Sequence, residues 1–165
     1  MKLDRRKIVT LILVIFWMTV IFLMSNQPAE ESSHVSGSVT YRVVSSANMV
    51  FHWNLSEKDK LDRADAIQFP VRKCAHMSEY AILAILLLLH LFSYKGLSKQ
   101  RRSWYLAWLL TVIYASTDEF HQIFIRGRSG RTIDVCIDAT GALIGLLVIY
   151  FCYKLLLKRR GGRNE

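Results

Sequence analysis

Proline, glycine and cysteine are all scarce in this chain, whose 165 residues include 2 prolines, 8 glycines and 3 cysteines. No low-complexity segment and no internal repeat is present. Cys74, Cys136 and Cys152 form no CxxC pair and lack the spacing of a zinc site. They lie within or beside apolar blocks, so we expect buried, reduced thiols, with a Cys74–Cys136 disulfide as the lesser alternative.

Several motifs that carry chemistry are also missing. No HExxH or comparable spacing occurs among the 5 histidines, and His76 and His121 stand in different segments. Ser78, Ser116 and Ser129 are hydroxyl candidates without a nucleophile-elbow motif. A metal site held by histidines and carboxylates is therefore the weaker alternative, a serine nucleophile is weaker still, and the sequence does not identify a cofactor.

Apolar residues are abundant and gather into long blocks. They make up 52% of the chain, and the mean hydropathy is +0.23. A helix of roughly 20 apolar residues spans a bilayer. We therefore predict one all-α domain, an integral membrane four-helix bundle whose uncleaved first helix ends near Pro28. The predicted spans are residues 8–24, 74–94, 104–124 and 133–157.

The only long polar segment, residues 25–73, is predicted to connect the first two spans. Pro70 suits the first turn of the second span. Within the segment, small apolar residues recur at helical spacing, which predicts an amphipathic helix near the membrane surface. These residues are Val35, Val39, Val43, Ala47 and Val50.

Basic residues are distributed unevenly among the predicted loops. The N-terminus, the 95–102 loop and the tail from Lys154 onward hold 13 of the 22 Lys and Arg residues. Four spans place these segments on one side, which the positive-inside rule assigns to the cytoplasm. Both termini are then cytoplasmic, and the partly helical 25–73 loop is extracytoplasmic. An aromatic belt is predicted near the inner interface at Trp104, Tyr105, Trp108, Tyr150 and Tyr153.

Polar side chains at the outer ends of three spans fall on shared helical faces. Asp134 and Asp138 share a stripe with Gly141 and Gly145, and glycines allow a neighbouring helix to approach closely. We therefore expect both carboxylates to face a neighbouring helix, and Asp138 to pair with an arginine or a histidine. The residues expected to converge are Arg72, His76, Glu79, Asp118, Glu119, His121, Gln122, Arg126, Arg128, Arg131, Asp134 and Asp138.

Arginines beside a helix N-terminus form a cradle suited to phosphate or carboxylate. We predict that Arg126, Arg128 and Arg131 hold an anion while Asp134 and Asp138 orient these arginines. Packing alone is the alternative for each residue, because Asp–Arg pairs at helix ends often only fix topology. Arg72 and Gln122 complete the predicted binding group, and the candidates for acid–base chemistry are His76 or His121, assisted by Glu79, Asp118 or Glu119.

Five short motifs stand out along the chain: residues 72–80 (RKCAHMSEY), residues 114–122 (YASTDEFHQ), residues 127–130 (GRSG), Asp134-x-x-x-Asp138-x-x-Gly141, and Ser25-x-Gln27 after the first span. Together these motifs resemble the VanZ-like family. The resemblance implies a small bacterial integral membrane protein of a family named after a member linked to teicoplanin resistance. Where the family often has proline before Gly-Arg, this chain has Arg126, and it adds Arg131. Both departures make the predicted site more cationic.

The leading interpretation is a multi-pass protein of the bacterial cell membrane with an extracytoplasmic polar site. The site would bind, and process if chemistry occurs, an anionic envelope component such as a lipid-linked phosphate or a peptidoglycan precursor. Membrane lipid is an expected partner, and nucleic acid is not. A non-enzymatic binding or accessory protein is the main alternative. A small proton-coupled transporter fits less well, because the fourth span has no polar group between Thr140 and Tyr150.

Overall fold

The computed structural model describes residues 4–94, 97 and 101–161, with side chains as far as residue 156. Within these ranges the chain is helical and contains no strand, which confirms the all-α prediction. The helices are α1 (Arg5–Ser25), α2 (Ala29–Phe51), α3 (Glu57–Leu91), α4 (Arg101–Gln122) and α5 (Thr132–Gly161). The predicted basic loop and basic tail lie partly outside the described residues.

Local residues set the helix ends. The Asp4 carboxylate accepts from the Arg6 backbone N–H at 3.1 Å and begins α1. Ser56 and Asp59 form a capping box at the start of α3, each side chain accepting from the other residue's backbone N–H at 3.2 Å. His52, with a φ of 52°, ends α2 in the left-handed conformation.

The second predicted span belongs to a much longer helix. We expected it to begin near Pro70, but the Ser56 capping box starts α3 earlier, and Pro70 lies inside its 35 residues. A proline within a helix leaves the carbonyl four residues earlier without a donor. That carbonyl belongs to Ala66, which is exposed, so water can replace the missing N–H.

Helix α3 is the centre of the molecule, since it packs against all four other helices. Its contact with α5 depends on the predicted glycines, which confirms their packing role. A Cβ built on Gly141 would lie 2.6 Å from the Met77 Cα, and one on Gly145 would lie 2.8 Å from the Ala81 carbonyl oxygen. The backbones of α3 and α5 therefore approach too closely for any larger residue at either position.

Helix α4 buries small and polar side chains and exposes large apolar ones. Its buried face includes Ala107, Thr111, Ala115 and Asp118. Its exposed face includes large apolar residues: Tyr105, Leu110, Ile113 and Phe120. A helix in water shows the opposite arrangement, whereas small residues at helix contacts are typical of membrane bundles.

Three of the helices are long and apolar enough to cross a membrane: α1, α3 and α5, the last over Thr132–Leu156. Helix α4, with 22 residues that include Asp118 and Glu119, is not among them. The fourth span and the four-helix bundle therefore stay predictions.

The amphipathic helix expected in the polar segment is present as α2, but its valine stripe is only partly covered by protein. Val35, Val39 and Val43 are each about half exposed, while the opposite face of α2 packs on the first half of α3.

Cys74, Cys136 and Cys152 are free thiols, as expected, and they form no bridge. They are exposed on the outward faces of α3 and α5, so the expectation that they are buried is wrong. An apolar block in a sequence does not show which of its faces turns inward.

Candidate functional site

A polar cavity of about 280 Å³ lies where the middle of α3, the end of α4 and the start of α5 meet. This volume is close to the lower end of small-molecule sites, roughly 300–1,000 Å³. Eight of the twelve predicted site residues line the cavity, namely Arg72, His76, Glu119, Gln122, Arg128, Arg131, Asp134 and Asp138. Helical spacing in the sequence therefore identified eight of the residues that line the cavity. Lys73, Ser32 and Ser129 also line it and were not predicted.

Arg128 is the most firmly held cation of the cavity. Its Nε donates to the Gln27 carbonyl oxygen at 2.8 Å, and its Nη1 donates to Gln122 Oε1 at 3.2 Å. Its Nη2 lies 3.4 Å from the Met24 carbonyl oxygen in the last turn of α1, which also accepts from the Gln27 backbone N–H at 3.4 Å. Burial lowers the pKa of the Arg128 guanidinium from its ordinary value. The polar end of α1 thus holds a partly desolvated positive charge at the cavity wall.

Asp118 lies behind the cavity and joins three helices. Its Oδ2 accepts from Ser25 of α1 at 2.7 Å, from Tyr80 of α3 at 2.9 Å and from Gln122 of α4 at 3.1 Å. The side chain is only 4% exposed, and its Oδ1 has no hydrogen-bond partner within the described part of the chain. Gln122 connects this carboxylate to Arg128, so Asp118 fixes the cavity wall without lining it.

Glu119 holds the connection between α4 and α5. Its Oε2 accepts from the Arg131 backbone N–H at 2.9 Å, and its Oε1 lies 3.3 Å from Gln122 Nε2. A Cβ on Gly130 would collide with the Glu119 carbonyl oxygen, so this turn lies directly on the end of α4. The turn presents Arg128 and Arg131 to the same space.

The charges of the cavity pair differently from our expectation. Asp134 forms a salt bridge with Lys73 at 2.6 Å, not with an arginine. For Asp138, which is 3% exposed, the described residues supply neither a salt bridge nor a hydrogen bond. The prediction that these two aspartates orient the arginines is therefore wrong. Backbone carbonyls and Gln122 orient Arg128 instead, since a buried guanidinium needs acceptors but not necessarily charged ones.

No arginine of the predicted set forms a salt bridge with a carboxylate in residues 4–94 and 101–156. The ion pairs there are Lys60–Glu57, Lys73–Asp134 and His76–Glu79. Arg72 contacts Ser33 Oγ at 3.4 Å, and Arg131 contacts Ser129 Oγ at 3.3 Å. The guanidinium groups around the cavity are thus free to take a further anionic partner.

The two histidines of the prediction are separated. His76 lines the cavity, and its Nδ1 lies 3.4 Å from Glu79 Oε2. A histidine oriented by a carboxylate can accept or donate a proton, so the pair provides a group for acid–base chemistry. His121 lies outside the cavity, stacked on Phe22 at 4.8 Å, with its Nε2 3.2 Å from Asn26 Oδ1.

Arg126 also lies outside the cavity. It is exposed beside the start of α2, where its carbonyl oxygen accepts from the Ala29 backbone N–H at 3.2 Å. The expectation that Arg126 and His121 converge with the other site residues is wrong. His121 lies on the face of α4 that contacts the end of α1, and the turn after α4 places Arg126 beside the start of α2.

Three contributors were missed from the sequence: Ser25, Lys73 and Tyr80. Lys73 and Tyr80 share a helical stripe with His76, from which they are three and four residues away, and this spacing was a usable signal. Ser25 belongs to the Ser25-x-Gln27 pattern of the resemblance. Nothing in the local sequence indicates that its hydroxyl bonds a carboxylate 93 residues away.

Among the residues that the structure describes, no group of three or more His, Cys, Asp or Glu side chains is placed to hold a metal ion.

The sequence of the chain matches one known protein family. The VanZ/LLP1 family model matches residues 10–154, from α1 into the last turns of α5. The chain therefore belongs to the VanZ/LLP1 family, as its motifs indicate, and its long apolar helices are those of a membrane protein. No curated protein and no solved structure matches the chain.

Proposed function

We propose that the polar cavity binds an anionic component of the cell envelope. The observation that carries the proposal is the state of Arg128, a half-buried guanidinium bonded only to neutral oxygens. Arg72 and Arg131 line the same space without carboxylate partners in the described chain. Arginine is well suited to phosphate and carboxylate, because its planar fork donates two parallel hydrogen bonds.

We further propose that the cavity faces the extracytoplasmic side of a bacterial cell membrane. Two observations support this orientation: the basic N-terminus, 95–102 loop and tail, and the apolar outer face of α4, which suits lipid contact. With α4 as the third of four spans, both termini are cytoplasmic and the protein is multi-pass. The hairpin of α2 and the first half of α3 then lies outside.

An envelope ligand at this face would be a lipid-linked phosphate or a peptidoglycan precursor with free carboxylates. Both offer the tetrahedral or planar anion that guanidinium groups bind best. The family resemblance sets this binding in the context of resistance to glycopeptides of the teicoplanin type. A protein that binds such a precursor could alter its availability without catalysing a reaction.

The binding proposal is tested with inorganic phosphate and the purified protein in nanodiscs of zwitterionic lipid. Arg128→Gln should weaken phosphate binding roughly tenfold or more, since hydrogen bonds to charged groups contribute ~1.5–3 kcal/mol. Arg126→Gln is the matched control, because this arginine belongs to the same turn but lies outside the cavity. Titration calorimetry measures both affinities.

Equal losses in the two variants would contradict the proposal, because they would show a general effect of positive charge. Absence of phosphate binding by the unmodified protein, with carboxylates also failing to bind, would reject an anion site altogether.

A further inference from the structure

A second, smaller groove adjoins the polar cavity. Its volume is about 170 Å³, and it lies between the end of α1, the start of α2 and the middle of α3. Five apolar side chains line it: Met24, Val35, Val39, Val71 and Ala75. Gln27, Ser36 and Glu79 also line the groove, together with four residues that it shares with the polar cavity.

The groove and the polar cavity share Ser32, Arg72, His76 and Arg128. These shared side chains form the boundary between the two spaces. One side of Arg128 therefore faces the charged cavity, and the other faces the apolar groove. A ligand that contacts this guanidinium has hydrocarbon-compatible space immediately beside it.

The groove is also open along one wall. Met24 is 44% exposed, Val35 is 52% exposed and Val39 is 47% exposed. These side chains come from the end of an apolar helix and from the helix that follows it. A chain lying in the groove can therefore continue outward past α1 into surrounding lipid.

We propose that the ligand is a single amphiphile with a phosphate headgroup and a long hydrocarbon chain. The phosphate binds at Arg128 and Arg72, and the carbons next to it occupy the apolar groove. This inference rests on the proposed anion-binding function and names the class of its ligand. A dry cavity of ~150 Å³ holds benzene, so the groove accommodates about six carbons, and the remaining chain lies in the bilayer.

The test is a series of n-alkyl phosphates from ethyl to decyl, titrated into the protein in zwitterionic nanodiscs, with inorganic phosphate as the reference. Each buried methylene should strengthen binding about fourfold. Affinity should therefore rise up to about six carbons and then level off, after subtraction of partitioning into empty nanodiscs.

A matched pair of variants tests the groove itself. Val39→Asn places an amide in the groove and should flatten the dependence on chain length while phosphate affinity stays unchanged. Val43→Asn is the control, because Val43 lies on the same stripe of α2, is 51% exposed and does not line the groove.

The possible failures are distinguishable. If inorganic phosphate binds but the alkyl chain adds nothing, the ligand is a free anion, and this inference fails while the proposed function stands. If chain length strengthens binding equally in Val39→Asn, the chain contacts lipid only, and the inference is again overturned. If neither phosphate nor any alkyl phosphate binds, both proposals fail.

Discussion

Hydrogen bonds from a few individual side chains fix the shape of this cavity. Asp118 accepts hydrogen bonds from side chains of three helices. One of these donors, Gln122, also accepts a hydrogen bond from Arg128. The sequence predicted these residue types and their shared helical faces, because period-3.6 spacing is readable from one chain. It could not predict their partners. The acceptors of Arg128 are mainly backbone carbonyls, which every residue possesses and no sequence pattern marks.

Asp118 is expected to act as an acceptor more than as a charge. Asp118→Leu leaves the Ser25 and Tyr80 hydroxyls and the Gln122 amide without this acceptor, and each unsatisfied buried donor costs ~1–3 kcal/mol. We predict a loss of ~3–9 kcal/mol in the free energy of unfolding. Asp118→Asn retains one oxygen and should lose less than half as much.

Chemical denaturation in mild detergent measures both variants of Asp118. If Asn proves as damaging as Leu, the negative charge and not the acceptor is what the fold requires.

At the scale of the helices, close packing of α3 and α5 brings the two halves of the cavity together. The sequence was sufficient to predict the contact between α3 and α5, because Gly141 and Gly145 share a helical face with Asp134 and Asp138. The length of α3 was not predictable in the same way. Pro70 indicated a helix start, and only the tertiary structure shows that the helix continues through it.

Gly141→Ala should destabilise the protein although alanine favours helix by ~1 kcal/mol. The added methyl group meets the Met77 backbone, which cannot move without shifting α3. Overpacking of this kind costs ~1–3 kcal/mol in the free energy of unfolding.

Gly37→Ala in α2 is the matched control. The new Cβ would lie 3.6 Å from Gln68 Nε2, an ordinary contact, so this variant should be neutral or up to ~1 kcal/mol more stable. Destabilisation by both variants would indicate that glycine is needed for flexibility and not for packing.

The whole molecule combines helices that expose apolar faces with a polar end. The sequence indicated this division through its apolar blocks and its 22 unevenly placed basic residues. It also assigned Arg126 and His121 to the cavity, which the structure does not support. Helical spacing gives a residue's face, but it does not show that the face of His121 contacts α1, nor that the turn after α4 places Arg126 beside α2.

The orientation predicts a specific pattern of chemical labelling. In a background with Cys74, Cys136 and Cys152 replaced by alanine, Arg126→Cys should react with a membrane-impermeant maleimide in intact cells. Arg6→Cys, exposed at the opposite end of the bundle, should react only after permeabilisation. The reverse pattern would place the cavity on the cytoplasmic side.

The most direct test of the central claim is an experimental structure of the protein with bound selenate, a tetrahedral dianion that anomalous scattering can locate. The account predicts a selenium peak inside the cavity, with selenate oxygens ~2.7–3.0 Å from the guanidinium nitrogens of Arg128. A cavity without a selenium peak, or one occupied by a cation coordinated by Asp138 and Glu119, would contradict it.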